Sequence, residues 1–240
     1  MARTARVLLV AAVAVVAGVG GAPRALGCGS NGYSYAGLGN PEPGFGIAAT
    51  ITSVADFDVL HGHVAGWVGV GGVGEGPGGS NEWLQVGLQR SVFGGTGSDV
   101  YYEVELPHRY PTYHQLAAAV PAREAVRLGV LEMRKRPNWW RVWLDGTPAS
   151  LPIRLPDSHD RWEPIATAES WDGGSGACNG FLYRFHHVQV AHRSGGGWGP
   201  LSGGNPIRNF ATRVRRSRGG ATFLAAEGAA ALRLLPSLKP

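Results

Sequence analysis

The feature that most constrains this chain is a succession of short apolar segments whose hydrophobic residues fall on every second position. A side-chain period of two belongs to half-buried β-strands, because successive Cβ atoms point to opposite faces of a sheet. Residues 47–54, 64–70, 83–88, 100–106, 128–133, 139–144, 165–171, 181–190 and 222–225 carry the pattern. Stretches with turn chemistry separate them, at 71–80, 94–98, 145–148, 172–176 and 195–199. Glycine is abundant, yet it lacks a collagen period and clusters between the apolar segments. Many short strands with glycine- and proline-rich turns predict an all-β fold: an antiparallel β-sandwich or jelly roll of two stacked sheets. One helix-like stretch, 225–235, follows the last strand. No internal repeat or long linker divides the chain, so one sandwich domain is expected over 28–226, with a C-terminal extension at 227–240.

The first 27 residues read differently. Arg3 and Arg6 precede an uncharged apolar run, and small residues follow, which is the order of a secretory signal peptide. The apolar run falls short of the roughly 20 residues that a bilayer span needs. Cleavage is expected between Ala22 and Gly27, giving a secreted, extracellular monomer. The two cysteines, Cys28 and Cys178, are then expected to form a disulfide, as exported pairs do. An alternative is a lipid anchor on Cys28, although Leu26 stands one position late for a lipobox. The formal charge of +5 falls when Arg3, Arg6 and Arg24 leave with the leader. The remaining basic run, Arg213 to Arg218, is short and interrupted, so it reads as a solvated strand edge or turn, and nucleic-acid binding is excluded.

Several chemical motifs can be dismissed. Gly69 to Gly74 matches a dinucleotide fingerprint, but Pro77 and its flanking glycines cannot start the helix that the fingerprint requires. The histidines of His61-Gly62-His63 and His186-His187 lack further ligands at zinc spacing and read as turn and surface residues. No serine elbow is present. Carboxylates and amides remain. The two-residue period puts Leu84, Val86 and Leu88 on one face and Trp83 and Gln85 on the other. By the same rule Trp67 opposes Val64, Val68 and Val70; Glu103 and Glu105 share a face with Tyr101; and Glu169 shares one with Thr167 and Trp171. Tryptophans, an amide and carboxylates would line a groove if these strands are neighbours, as converging polar groups amid aromatics do in binding sites. Such a groove suits a peptidase, a non-catalytic carbohydrate-binding module, or a glycoside hydrolase using Glu103 and Glu105.

The same residues resemble the glutamic peptidases of the eqolisin type. The resemblance is carried by Ser34-Tyr35-Ala36-Gly37, Ala65-Gly66-Trp67-Val68-Gly69-Val70-Gly71-Gly72, Trp83-Leu84-Gln85-Val86-Gly87, Tyr101-Tyr102-Glu103 and Ala166-Thr167-Ala168-Glu169-Ser170-Trp171, in the family's order. It implies a concanavalin-like β-sandwich and a secreted, acid-acting endopeptidase whose substrate is a polypeptide. It further implies a catalytic pair of Gln85 and Glu169, with Tyr35, Trp67, Trp83, Glu103 and Trp171 in the substrate cleft. Tyr35 stands where the family usually has tryptophan. Neither a metal nor another cofactor is implied.

Overall fold

The computed structural model describes residues 32–56, 58–176, 179–209, 211–217 and 219–240. The expected leader, its cleavage site and both cysteines of the expected disulfide, Cys28 and Cys178, lie outside the described residues.

Two antiparallel sheets are stacked face to face. The first is ordered β14 (Asn205–Arg208), β1 (Tyr33–Gly39), β11 (Ile165–Trp171), β3 (His63–Gly72), β4 (Glu82–Ser91), β5 (Ser98–Glu105) and β6 (Thr112–Val120). The second is ordered β10 (Ile153–Arg154), β8 (Trp139–Leu144), β7 (Ala125–Glu132), β2 (Gly46–Ser53), β12 (Phe181–Arg193), β16 (Phe223–Glu227) and β15 (Thr212–Arg216). Two short strands complete it: β9 (Thr147–Pro148) pairs with β8, and β13 (Gly196–Pro200) pairs with β12. The chain crosses repeatedly from one sheet to the other, as a jelly roll does. The all-β, concanavalin-like sandwich expected from the sequence is the fold observed.

The alternation of the sequence is the alternation of burial. Leu38, Val68, Leu84 and Val86 of the first sheet meet Ile47, Ile51, Val130 and Phe185 of the second in one continuous core. Phe185 and Phe223 stack across adjacent strands at 4.6 Å. Trp140 and Trp162 are also buried in this core. Its indole nitrogens are not stranded: Trp140 Nε1 donates to Ser158 Oγ at 2.8 Å, and Trp162 Nε1 to the Glu75 carbonyl at 3.2 Å.

Three sequence expectations need correction. The glycine-rich stretch 195–199 is a strand for most of its length, because β13 pairs Gly196 with Arg193 and Gly199 with Val190 along the free part of β12. The helix expected over 225–235 is shorter, since β16 runs to Glu227 and the helix α1 occupies Ala229–Leu234. Its Ala231, with Leu235, covers Leu182, Leu224 and Ala226 on the outer face of the second sheet. Arg215 Nη1 donates to the carbonyls of Leu235, Pro236 and Leu238, which ties down the last turn. The histidine pair His186-His187 is on the surface as expected, but on a strand rather than in a turn: His187 sits at a bulge in β12, with a positive φ of 49°.

Candidate functional site

Cross-strand partners in a sheet share a face, so the register of the first sheet determines what meets on its outer side. One row runs Tyr33, Trp171, His63. The next runs Tyr35, Glu169, Ala65, Gln89, Asp99. A third runs Gly37, Thr167, Trp67, Gly87, Tyr101, and a fourth Ile165, Gly69, Gln85, Glu103, Tyr113. Trp83 and Glu105 pair in a fifth. Tyr35, Trp67, Trp83, Gln85, Glu103, Glu169 and Trp171 therefore all stand on the face turned away from the core. Gln85 on β4 and Glu169 on β11 lie diagonally on either side of Trp67, with β3 between them.

Glycines make room for this layout. A Cβ on Gly87 would lie 2.7 Å from Trp67 Cβ and 2.5 Å from the Gly66 carbonyl oxygen, and one on Gly69 would lie 2.7 Å from the Leu84 carbonyl oxygen. Real side chains do not tolerate such contacts, so glycine stands opposite Trp67 and opposite Gln85.

Two clusters form along the groove. At one end Tyr33 stacks on Tyr35, with ring centroids 6.1 Å apart and planes 6° apart, and on Trp171, also at 6.1 Å. His63 packs against Trp171 at 5.7 Å, and its Nε2 lies 3.3 Å from Glu169 Oε1. Toward the other end Trp83 Nε1 donates to Glu103 Oε1 at 3.0 Å, and Gln85 Nε2 donates to Tyr101 Oη at 3.1 Å. Gln85 is 8% exposed and Glu169 7%, which is low for polar residues on an outer face. Beside Tyr101 the same face opens into a hollow of about 330 Å³ lined by Gln89, Phe93, Asp99 and Gln115.

The electrostatics join the clusters. Burial pushes the Glu103 carboxyl up from the ordinary carboxylate range; the Trp83 hydrogen bond opposes this, and the charge on Glu169 adds to it. Burial also pushes the Tyr101 phenol well above its ordinary value, with Glu169 and then Glu103 contributing further. Tyr35 is raised by burial first and by Glu169 second. One buried phenol thus accepts from Gln85 while sensing both carboxylates. Trp67 Nε1 is buried and has no hydrogen-bond partner among the described residues.

Sequence reasoning missed Tyr33 and His63 as groove residues, although each is in phase with a residue it did select, Tyr35 and Trp67 respectively, so the period of two could have found them; it put Tyr101 on the face of Glu103 without giving it a role. No described residues form a cluster of three or more potential metal ligands.

No family model matches the chain, and no curated protein matches it. Solved structures do. Scytalido-glutamic peptidase in complex with a peptide-based transition-state analogue is similar at 16% identity and a TM-score of 0.56, over 83% of this chain and 99% of that one. SCP-B, a member of the eqolisin family of peptidases, in complex with the tripeptide Ala-Ile-His, is similar at 14% identity and a TM-score of 0.53, with the same coverage. These likenesses establish the class of the fold as an eqolisin-like β-sandwich.

Proposed function

We propose that this protein is an exported glutamic endopeptidase that hydrolyses polypeptides in acid. The observation that carries the reading is the placement of Gln85, Glu103 and Glu169 on one open face of an eqolisin-like sheet, with Gln85 donating to the buried Tyr101 phenol. Glu169, as a carboxylate, takes a proton from a water molecule, whose oxygen attacks the scissile carbonyl carbon. The carbonyl oxygen becomes an oxyanion and accepts a hydrogen bond from the Gln85 N–H that Tyr101 leaves free. Protonated Glu169 then gives its proton to the leaving nitrogen as the C–N bond breaks. Trp67 supplies a flat wall and an unmet N–H for the peptide backbone, while Tyr35, Trp83 and Trp171 offer aromatic surface along the groove. In this route Glu169 acts on a water molecule rather than on the carbonyl carbon, so the proposed steps pass through no covalent intermediate. Export rests on the leader of the sequence; no described helix is long and apolar enough to cross a membrane.

The test is casein cleavage from pH 2 to 8 by the wild type, Glu169→Gln and Gln85→Ala. Each substitution is expected to lower the rate by about 100- to 1000-fold, the usual cost of a lost oxyanion donor or general base, with circular dichroism unchanged. Absence of cleavage at every pH, or cleavage indifferent to both substitutions, would sink the proposal and direct attention to glycan binding.

A further inference from the structure

A glutamine that acts by geometry is useful only if its rotation is fixed, because the terminal torsion of an amide is broad and weakly restrained. The partner of Gln85 is well placed to fix it. Tyr101 is 1% exposed, and its ring is stacked on Tyr113 at 5.2 Å with planes 13° apart. Its register partner on β4 is Gly87, so no side chain on that strand competes for the space the ring occupies. The Tyr113 ring holds the phenol from one side, and Gln85 Nε2 reaches its oxygen at 3.1 Å.

We infer that Tyr101 is a positioning residue for Gln85: its hydroxyl holds the amide with one N–H engaged, leaving the second N–H and Oε1 for the reacting groups. The inference rests on the peptidase reading and deepens it. Burial and the charges of Glu169 and Glu103 keep this phenol protonated throughout the acid range. The phenol oxygen accepts from Gln85 Nε2, and this contact fixes the amide with that N–H engaged.

The variant that tests this is Tyr101→Phe, which keeps the ring and its stacking and deletes one oxygen. On a single peptide substrate, kcat is expected to fall about tenfold, the order of one hydrogen bond's net worth, with KM close to wild type. In a Gln85→Ala background the same change should cost nothing further, because the two residues act as one unit. A purely structural role would produce an equal loss in both backgrounds. A second readout needs no activity: the Gln85 side-chain amide protons, followed by NMR, should exchange slowly in the wild type and at least about tenfold faster in Tyr101→Phe. Fast exchange in the wild type, or a kcat loss that persists in the Gln85→Ala background, overturns the inference. If the wild type cleaves no peptide while Tyr101→Phe releases the Gln85 amide, the peptidase reading fails and the positioning contact stands.

Discussion

Gln85 carries no titratable proton, so the pH dependence of the groove falls to its carboxyl groups and to the His63 imidazole beside Glu169. Glu103 is the one whose environment differs most plainly from water: burial raises its pKa, and the charge of Glu169 raises it further. In acid it is a neutral neighbour. As pH rises it ionises, and a second negative charge then faces the developing oxyanion. Glu103→Gln removes that charge, so the alkaline limb of kcat/KM is expected to move up by roughly one pH unit or more, measured on one peptide substrate. Collapse of activity at every pH would instead place Glu103 in the proton transfer itself. The sequence could assign Glu103, Gln85 and Glu169 to one side of their strands, because that needs only the period of two. It could not show that Gln85 meets Tyr101 rather than another side chain, since such a contact depends on the register between β4 and β5.

At the level of strands, alternation is legible for most strands with one face buried, and there the sequence reading and the structure agree; β1, whose Ala36 and Leu38 lie in the core, is the exception. β8 and β11 have the boundaries expected from pattern alone. The strands that escaped include β6, β10 and β14, which form edges of the two sheets. β6 has no fully buried residue, and only its Leu116 and Val120 pack partly against the core, so the period written into it is weak. β15 carries Arg213, Arg215 and Arg216, charges that keep an open edge from pairing with another chain. Of the two readings of this run, a solvated strand edge or a turn, the strand edge is the one observed. The central hairpin makes a sharper demand. Gly87→Ala would force a Cβ to within 2.7 Å of Trp67 Cβ, and the backbone carbonyl beside it cannot yield cheaply. A loss of about 1–3 kcal/mol in urea unfolding is expected, together with a displaced Trp67 that reduces its fluorescence response to bound peptide.

Across the whole molecule, acidic groups are buried away from the groove as well. Glu82, whose carboxyl oxygens have no partner among the described residues, is pushed up to about 8 by burial, with Asp157 adding to the shift. Glu227 accepts from Ser34 Oγ at 2.6 Å between the sheets, and burial still raises it to about 7. Both folded values exceed the ordinary value of 4.5, so the folded state holds these protons more tightly than the unfolded chain does. Their contribution to stability is complete below that ordinary value and is lost as pH rises through about 7 and 8. The urea midpoint is expected to fall steadily from pH 5 to pH 8, and Glu82→Gln should flatten the upper part of that curve. The sheet that carries the groove divides its labour along the chain itself. Odd-numbered positions of β4 and β5 hold Gln85, Tyr101 and Glu103, and even-numbered ones hold Leu84, Val86 and Val100. The text for chemistry and the text for folding are thus interleaved letter by letter, and a lineage can rewrite one while leaving the other intact.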